Sequence, residues 1–311
     1  MRVAAIDCGT NSIRLLIADM VGETLTDVSR RMEIVRLGEG VDRTGRISSE
    51  AIDRTRRALI GYAAEIAELG ISQVRMVATS ASRDAENAED FRSMVSAVLG
   101  VDPEVITGDE EARLSFAGAV HGLAADPPYL VVDIGGGSTE FVTGRSTTEP
   151  TRSGPSSQRA ISVDIGCVRM TERHLKSDPP TAAQIAAAEQ DITAAVDTAL
   201  AAVPGREART LLGLAGSVTT VTALALHLPE YDGSRIHHAR VGYEAVAKVT
   251  ADLLAATIAE RRALPVMHPG RADVIGAGAL ILRTIMERSG QSSVVASEHD
   301  ILDGIAWGLA R

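Results

Sequence analysis

Apolar and polar positions along the chain follow two periods, one of strands and one of helices, and their order repeats. Residues 1 to 36 carry the apolar runs VAAID, SIRLLIADM and TLTDVSRRMEIVRL, separated by turn signals at Gly9 to Ser12 and at Val21 to Glu23. Short runs of this kind between Gly, Asn and Ser predict three antiparallel strands in a meander. Behind Ser48 or Ser49, either of which can cap a helix, Ile52, Leu59, Ala63, Ile66 and Leu69 recur at helical spacing and stop at Gly70. A strand over Val74 to Thr79, a helix from Asp84 to Gly100, a short strand at Glu104 to Thr107 and a helix from Asp109 to His121 complete the order βββαβαβα.

Asp126, Pro127 and Pro128 then interrupt the pattern, which places a domain boundary near residue 122 and divides the chain into 1–122 and 123–311. The second half repeats the plan. Strands are expected at Tyr129 to Ile134, Ser138 to Thr143 and Arg159 to Ile165, with the polar stretch 145–158 between the last two read as a mobile hairpin loop. Helices from Arg169 to Leu175 and after Pro180, a strand at Thr210 to Leu214 and a helix ending at His227 follow. Helices over Glu244 to Arg261 and Arg271 to Arg288, a strand at Ser293 to Ala296 and a last helix, Ile301 to Leu309, close the chain. That last helix is expected to pack back on the first domain.

The 311 residues suit two domains of ordinary size. Hydrophobic residues at 45% and charged residues at 23% describe a globular protein, while 3% aromatics leave little for stacking on single-stranded nucleic acid. A formal charge of -10 argues against nucleic acid or an anionic membrane as partner, so a polyanionic substrate needs local basic groups and metal ions. No stretch resembles a signal peptide or a membrane span. Cys8 and Cys167 are read as small buried thiols of a cytoplasmic protein.

The chemistry begins at Val131 to Glu140, VVDIGGGSTE, an apolar strand that meets Asp133, a glycine run, Ser138, Thr139 and Glu140. Gly135, Gly136 and Gly137 allow the main chain to approach an anion and hold phosphate with its N–H groups. An acid beside a phosphate requires a cation between them, so Asp133 and Glu140 point to a hard metal such as Mg²⁺, or Mn²⁺ in its place. Shifted by 126 positions, VAAIDCGTNS at Val3 to Ser12 puts Asp7 on Asp133, Gly9 on Gly135 and Ser12 on Ser138. Two half-chains thus each offer a phosphate loop, expected to face one another across a cleft. Gly213 to Ser217, GLAGS, is a third turn of the same form, and none is a Walker A loop because no GK[ST] follows. GAGAL at 276 to 280 lies in a helical pattern and reads as helix packing.

In TGDEEARLSFAGAV, Asp109, Glu110 and Glu111 fall in the first turn of a helix, where acids are favoured by the macrodipole. Asp109 is the expected cap, Glu110 a solvated neighbour and Glu111 the candidate catalytic group. Arg83, at a strand-to-helix junction in TSASRDAEN, can bind a phosphoryl group with the helix N–H groups or simply lie on the surface. His237 and His238 are adjacent and expected to point apart, so they are left out of the site.

Together DCGTNSIRLLIA, ATSASRDAEN, GDEEARLSFAG, VVDIGGGSTEFV, DIGCVRMTERHL, GLAGSVTTV, GRADVIGAGALIL and SEHDILDGI resemble the exopolyphosphatase and guanosine pentaphosphate phosphohydrolase family of the actin-like ATPase superfamily. The resemblance runs along nearly the whole chain. It implies two ribonuclease-H-like α/β domains with the active site in a cleft, and a homodimer. It gives Glu111 the catalytic role and Asp133 and Glu140 metal-linked ones, and the chemistry of phosphoryl transfer adds Asp7 to the metal set through water. It also places Asn11, Ser12, Arg83, Gly136 to Thr139, Gly216 and Ser217 along a phosphate channel. The C-terminal HD-like extension of longer members is absent from this sequence. The activity implied is Mg²⁺-dependent release of orthophosphate from the end of inorganic polyphosphate. The alternatives are a guanosine pentaphosphate 5′-phosphatase and an ATP-dependent small-molecule kinase of the same superfamily.

Overall fold

The computed structural model describes residues 1–22, 24–145 and 158–309, and the chain divides into two compact units, Met1–Gly118 with the segment from Ile301, and Ala119–Asp300. In the first unit, β1 (Arg2–Cys8), β2 (Ser12–Val21) and β3 (Thr24–Ile34) form the antiparallel meander. Parallel pairing of β1 with β4 (Gln73–Ala78), and of β4 with β5 (Glu104–Val105), completes a sheet of order β3-β2-β1-β4-β5. Its helices are α1 (Val41–Thr44), α2 (Ser49–Glu68), α3 (Ser80–Asp84), α4 (Ala88–Leu99) and α5 (Gly108–Val120).

β1 is apolar at successive positions because both of its faces are covered. Ala4, Ile6 and Cys8 share a core with Leu59, Tyr62 and Ile66 of α2 and Phe91 and Val95 of α4. Ser48 caps α2 by accepting from the Ala51 N–H at 3.1 Å, and the Tyr62 hydroxyl donates to the Ile13 carbonyl at 3.1 Å.

The second unit repeats the arrangement. β6 (Tyr129–Ile134), β7 (Thr139–Gly144) and β8 (Arg159–Val163) form its meander, followed by α6 (Cys167–His174) and α7 (Ala182–Ala202). β9 (Thr210–Leu214), α8 (Ala215–Ala225), α9 (Gly233–Ile236), β10 (Arg240–Gly242), α10 (Tyr243–Ala255), α11 (Ile258–Arg262), α12 (Ile275–Ser289) and β11 (Ser293–Ala296) complete it. The strand order is β10-β11-β9-β6-β7-β8, with β6 parallel to β9 and β9 to β11. The final helix, α13 (Ile301–Leu309), belongs to the first unit. Its Ile301, Leu302, Ile305 and Ala306 pack on Val3, Ala5, Leu16 and Val77, the other face of β1 and its neighbours. Arg30 of β3 donates to buried Asp303 at 2.6 Å.

Three helices differ from the expected ones. The helix expected over Asp84 to Gly100 begins only at Ala88, after the short α3 ends at Asp84, and Asn87 between them bonds both the N–H and the carbonyl of Ile47 (2.9 and 3.0 Å). The one expected over Glu244 to Arg261 restarts at Thr257, which forms a capping box with Glu260. The one expected over Arg271 to Arg288 begins at Ile275, after a 3₁₀ turn at Pro269–Arg271 whose Gly270 N–H bonds the His268 ring. The short elements α1, α9 and β10 were too brief to show a period. The expected hairpin loop at 145–158 lies, over 146–157, outside the described residues.

Candidate active site

The two hairpin loops are built alike. Gly9 donates to the Ser12 carbonyl and Gly135 to the Ser138 carbonyl, each at 3.0 Å. In the second unit, the carbonyl of Gly135 accepts from Cys167 N–H (2.9 Å), and that of Gly136 from Val168 and Arg169 (2.9 and 3.1 Å). The carbonyl of Gly137 accepts from the Arg169 side chain at 2.7 Å. A trans peptide directs its N–H opposite to its carbonyl. Engaging three successive carbonyls therefore turns the N–H groups of Gly136, Gly137 and Ser138 the other way, as an anion requires. Gly166 permits the approach: a Cβ there would overlap the Gly136 carbonyl and stand 2.6 Å from the Gly137 nitrogen.

In the first unit the segment after β3 takes the part of α6. The Asn11 carbonyl accepts from Val35 and Arg36 (3.0 and 2.8 Å) and the Thr10 carbonyl from Gly38 (2.9 Å), turning the N–H groups of Asn11 and Ser12 outward. Arg36 reaches this position with a φ of 51°, in the left-handed region. The Thr10 and Ser80 hydroxyls, 2.8 Å apart, tie the loop to α3.

The acids beside the loops differ in their partners. Asp7 and Arg14 are cross-strand partners joined at 2.7 Å, whereas their counterparts in the repeat, Asp133 and Glu140, are cross-strand partners of like charge, 7% and 2% exposed. Across the strands Asp7 thus faces a cation where Asp133 faces a second acid.

Glu111 is buried in the first turn of α5. The Arg83 guanidinium donates to its carboxylate at 3.3 Å and to the Ile106 carbonyl at 3.1 Å. Thr107, not Asp109, caps the helix, since its hydroxyl accepts from the Glu110 N–H at 3.2 Å while Asp109 pairs with Arg113. Glu110 reaches Arg75 at 3.3 Å.

The GLAGS turn joins β9 to α8 with Ala215 at a φ of 67°. The Arg271 guanidinium lies on Gly216, where a Cβ would meet its Nε at 2.6 Å, and Ser217 is buried against Gly278 of α12. The glycines of GAGAL thus serve packing, as their helical setting predicts. Residues 16–310 match the Ppx/GppA phosphatase family. The chain is 50% identical to Exopolyphosphatase 2 of Mycobacterium tuberculosis, over 99% of this chain and 98% of that one.

The chain belongs to the Ppx/GppA phosphatase family. A crystal structure of an exopolyphosphatase-like protein is 46% identical with a TM-score of 0.92, over 98% of this chain and 96% of that one. The Ppx/GppA enzyme of Aquifex aeolicus is 31% identical with a TM-score of 0.81, over 100% and 99%. With an exopolyphosphatase from Cytophaga hutchinsonii at 0.86, over 100% and 98%, these establish the two-domain actin-like ATPase fold for this chain.

Ppx/GppA phosphatases generally depend on a divalent metal. Among the described residues no three His, Cys, Asp or Glu side chains cluster as a metal cage. Mg²⁺, however, keeps several waters and takes one or two carboxylates. Asp133 and Glu140 fit that demand: two buried acids opposite each other on adjacent strands repel unless a cation lies between. No helix of the described residues is long and apolar enough to cross a membrane.

Arg14 and Arg271 were missed by the sequence reading. Arg14 stands seven residues after Asp7, the spacing of Asp133 to Glu140, so the repeat itself carried that signal. Arg271 had no signal beyond its place in GRADVIGAGALIL. The expectation that His237 and His238 point apart is overturned. His238 has a φ of 62° in place of extended geometry, and the two rings stack with centroids 3.7 Å apart, with His299 at 4.4 Å from His237.

Proposed function

We propose that the protein is an exopolyphosphatase that hydrolyses the terminal phosphoanhydride of inorganic polyphosphate and releases orthophosphate. The observation that carries this reading is the repeated loop, whose carbonyls at Thr10, Asn11 and Gly135 to Gly137 are engaged behind it so that the N–H groups that follow them present to anions. Its likeness to Exopolyphosphatase 2 of Mycobacterium tuberculosis supports the same substrate.

Attack on a terminal phosphoryl group needs an in-line water, a base and positive charge around the equatorial oxygens. Glu111 is the base: its carboxylate accepts the proton of the water, and the bond from Arg83 orients it. Loop N–H groups at Asn11, Ser12, Gly136, Gly137, Ser138 and Thr139, with Gly216 and Ser217, hold the phosphates. Arg83 has further N–H groups for phosphoryl oxygens beyond those given to Glu111 and Ile106. Asp133 and Glu140 hold the divalent ion, which we assign as Mg²⁺. When bound, it neutralises charge that accumulates on the transferred group and its leaving oxygen. Asp7, held by Arg14, would add its negative charge to the metal site through water. Both cysteines are buried and free, in keeping with a reducing cytoplasm.

Phosphate release from polyphosphate, guanosine pentaphosphate and ATP, measured side by side, tests the assignment. Polyphosphate is expected to be the fastest substrate. Faster release from guanosine pentaphosphate would make the protein a nucleotide 5′-phosphatase, and transfer to an added alcohol without free phosphate would make it a kinase.

A further inference from the structure

The row that holds Asp133 and Glu140 continues onto the edge strand. Glu140 on β7 is the cross-strand partner of Ser162 on β8, and the Ser162 hydroxyl donates to Glu140 Oε1 at 2.7 Å. Directly opposite residues of an antiparallel pair share a face, so Asp133, Glu140 and Ser162 form one line across three strands. The corresponding line in the first unit is Asp7, Arg14 and Met32. There the acid is answered by arginine and the third place is apolar. Where arginine becomes glutamate, the third place becomes a hydroxyl.

We propose that Ser162 is a positioning residue of the divalent-cation site, acting through Glu140. An ionised carboxylate only accepts hydrogen bonds, and a hydroxyl on one oxygen favours the charged form and fixes the carboxylate plane. The bond from Ser162 to Oε1 thus orients the Glu140 carboxylate. Outer-shell partners of this kind are worth 10- to 100-fold in metal affinity, roughly, when removed. The inference rests on the reading of Asp133 and Glu140 as the metal carboxylates.

The test uses the full-length protein without substrate and reads Mn²⁺ binding by electron paramagnetic resonance, with Mg²⁺ in competition. Four variants are compared with wild type: Glu140→Gln, Ser162→Ala, Ser162→Thr and Ser162→Val. Thr and Val have the same shape on a β-strand and differ by the hydroxyl alone, so this pair reports on the bond even if the alanine variant folds poorly. Expected are a Kd for Mn²⁺ raised about 10- to 100-fold in S162A and S162V and about threefold or less in S162T. At saturating metal the turnover of S162V should recover most of its loss, because the hydroxyl does not touch the reacting atoms. Equal affinity in S162T and S162V overturns the inference about Ser162. Unchanged affinity in E140Q overturns the assignment of Glu140 itself, which is a separate outcome.

Discussion

Replacing Gly166 by alanine tests the claim that the second phosphate loop works by having its carbonyls held from behind. Gly166 has φ -148° and ψ 163°, extended backbone that alanine adopts without strain. The entire cost is therefore steric. The new Cβ would stand 2.6 Å from the Gly137 nitrogen and closer still to the Gly136 carbonyl, whereas non-bonded heavy atoms settle near 3.5–4.0 Å. Loop and helix must separate by roughly 1 Å. The bonds from Val168 and Arg169 to the Gly136 carbonyl lengthen, at about 1 kcal/mol each, and overpacking of this kind costs about 1–3 kcal/mol in all. Activity should suffer more than stability, since a misplacement of ~1 Å in a positioning group costs on the order of 10²-fold. Gly205→Ala is the control. Its Cβ would meet the methyl ends of Leu200 and Leu130 at 2.8 and 3.0 Å, giving a comparable loss of stability with no loop displaced. Thermal melts and kcat/KM for phosphate release are measured on both. A G166A enzyme within threefold of wild type in kcat/KM, at a stability like that of G205A, would refute the held-loop account.

Glu111→Gln keeps a hydrogen-bond acceptor for Arg83 and should bind substrate normally while turnover falls about 10²- to 10⁴-fold; near wild-type turnover removes Glu111 as the base. Activity should vanish with EDTA and return with Mg²⁺, and indifference to chelation would sink the metal assignment. Asp303→Asn removes a 1% exposed charge from beneath Arg30 and should destabilise the first unit by about 3 kcal/mol in chemical denaturation, with kcat unchanged. Acidification should weaken the second unit. Burial, with a smaller contribution from His299, lowers the pKa of His238 below the ordinary 6.5, so the unfolded chain binds more protons just below that pH and stability falls as pH drops through 6.5. His238→Asn, which tolerates the left-handed backbone, should lose less in Tm between pH 7.5 and 5.5 than wild type; an identical loss would show that His238 does not set this slope.

The architecture was legible because the longer elements announced themselves through period and punctuation over enough residues. β6, β9, β11 and α13 fall where the apolar runs place them, and the DxGxxS repeat ties the two sheets to one plan. Failures concentrate where a side chain bonds backbone some 40 residues away, as Asn87 does at Ile47, or where a cap restarts a helix whose apolar period continues unbroken, as at Thr257. The candidate site divides in the same way. Glycines and acids can be read from spacing, but which residue faces each acid depends on strand register. That is a property of the pairing of β1 with β2 and of β6 with β7, not of either strand alone. Once the register is known the repeat becomes informative twice. The match of Asp7 with Asp133 shows that both halves carry the same loop, and the mismatch of Arg14 with Glu140 shows where the two rows differ in charge. A reciprocal exchange follows from this reasoning. Glu140→Arg should place a guanidinium over Asp133 as Arg14 lies over Asp7, folding normally while abolishing Mn²⁺ binding. An E140R protein that still binds Mn²⁺ with wild-type affinity would show that the ion is held elsewhere and that the two rows are not alternatives for the same charge.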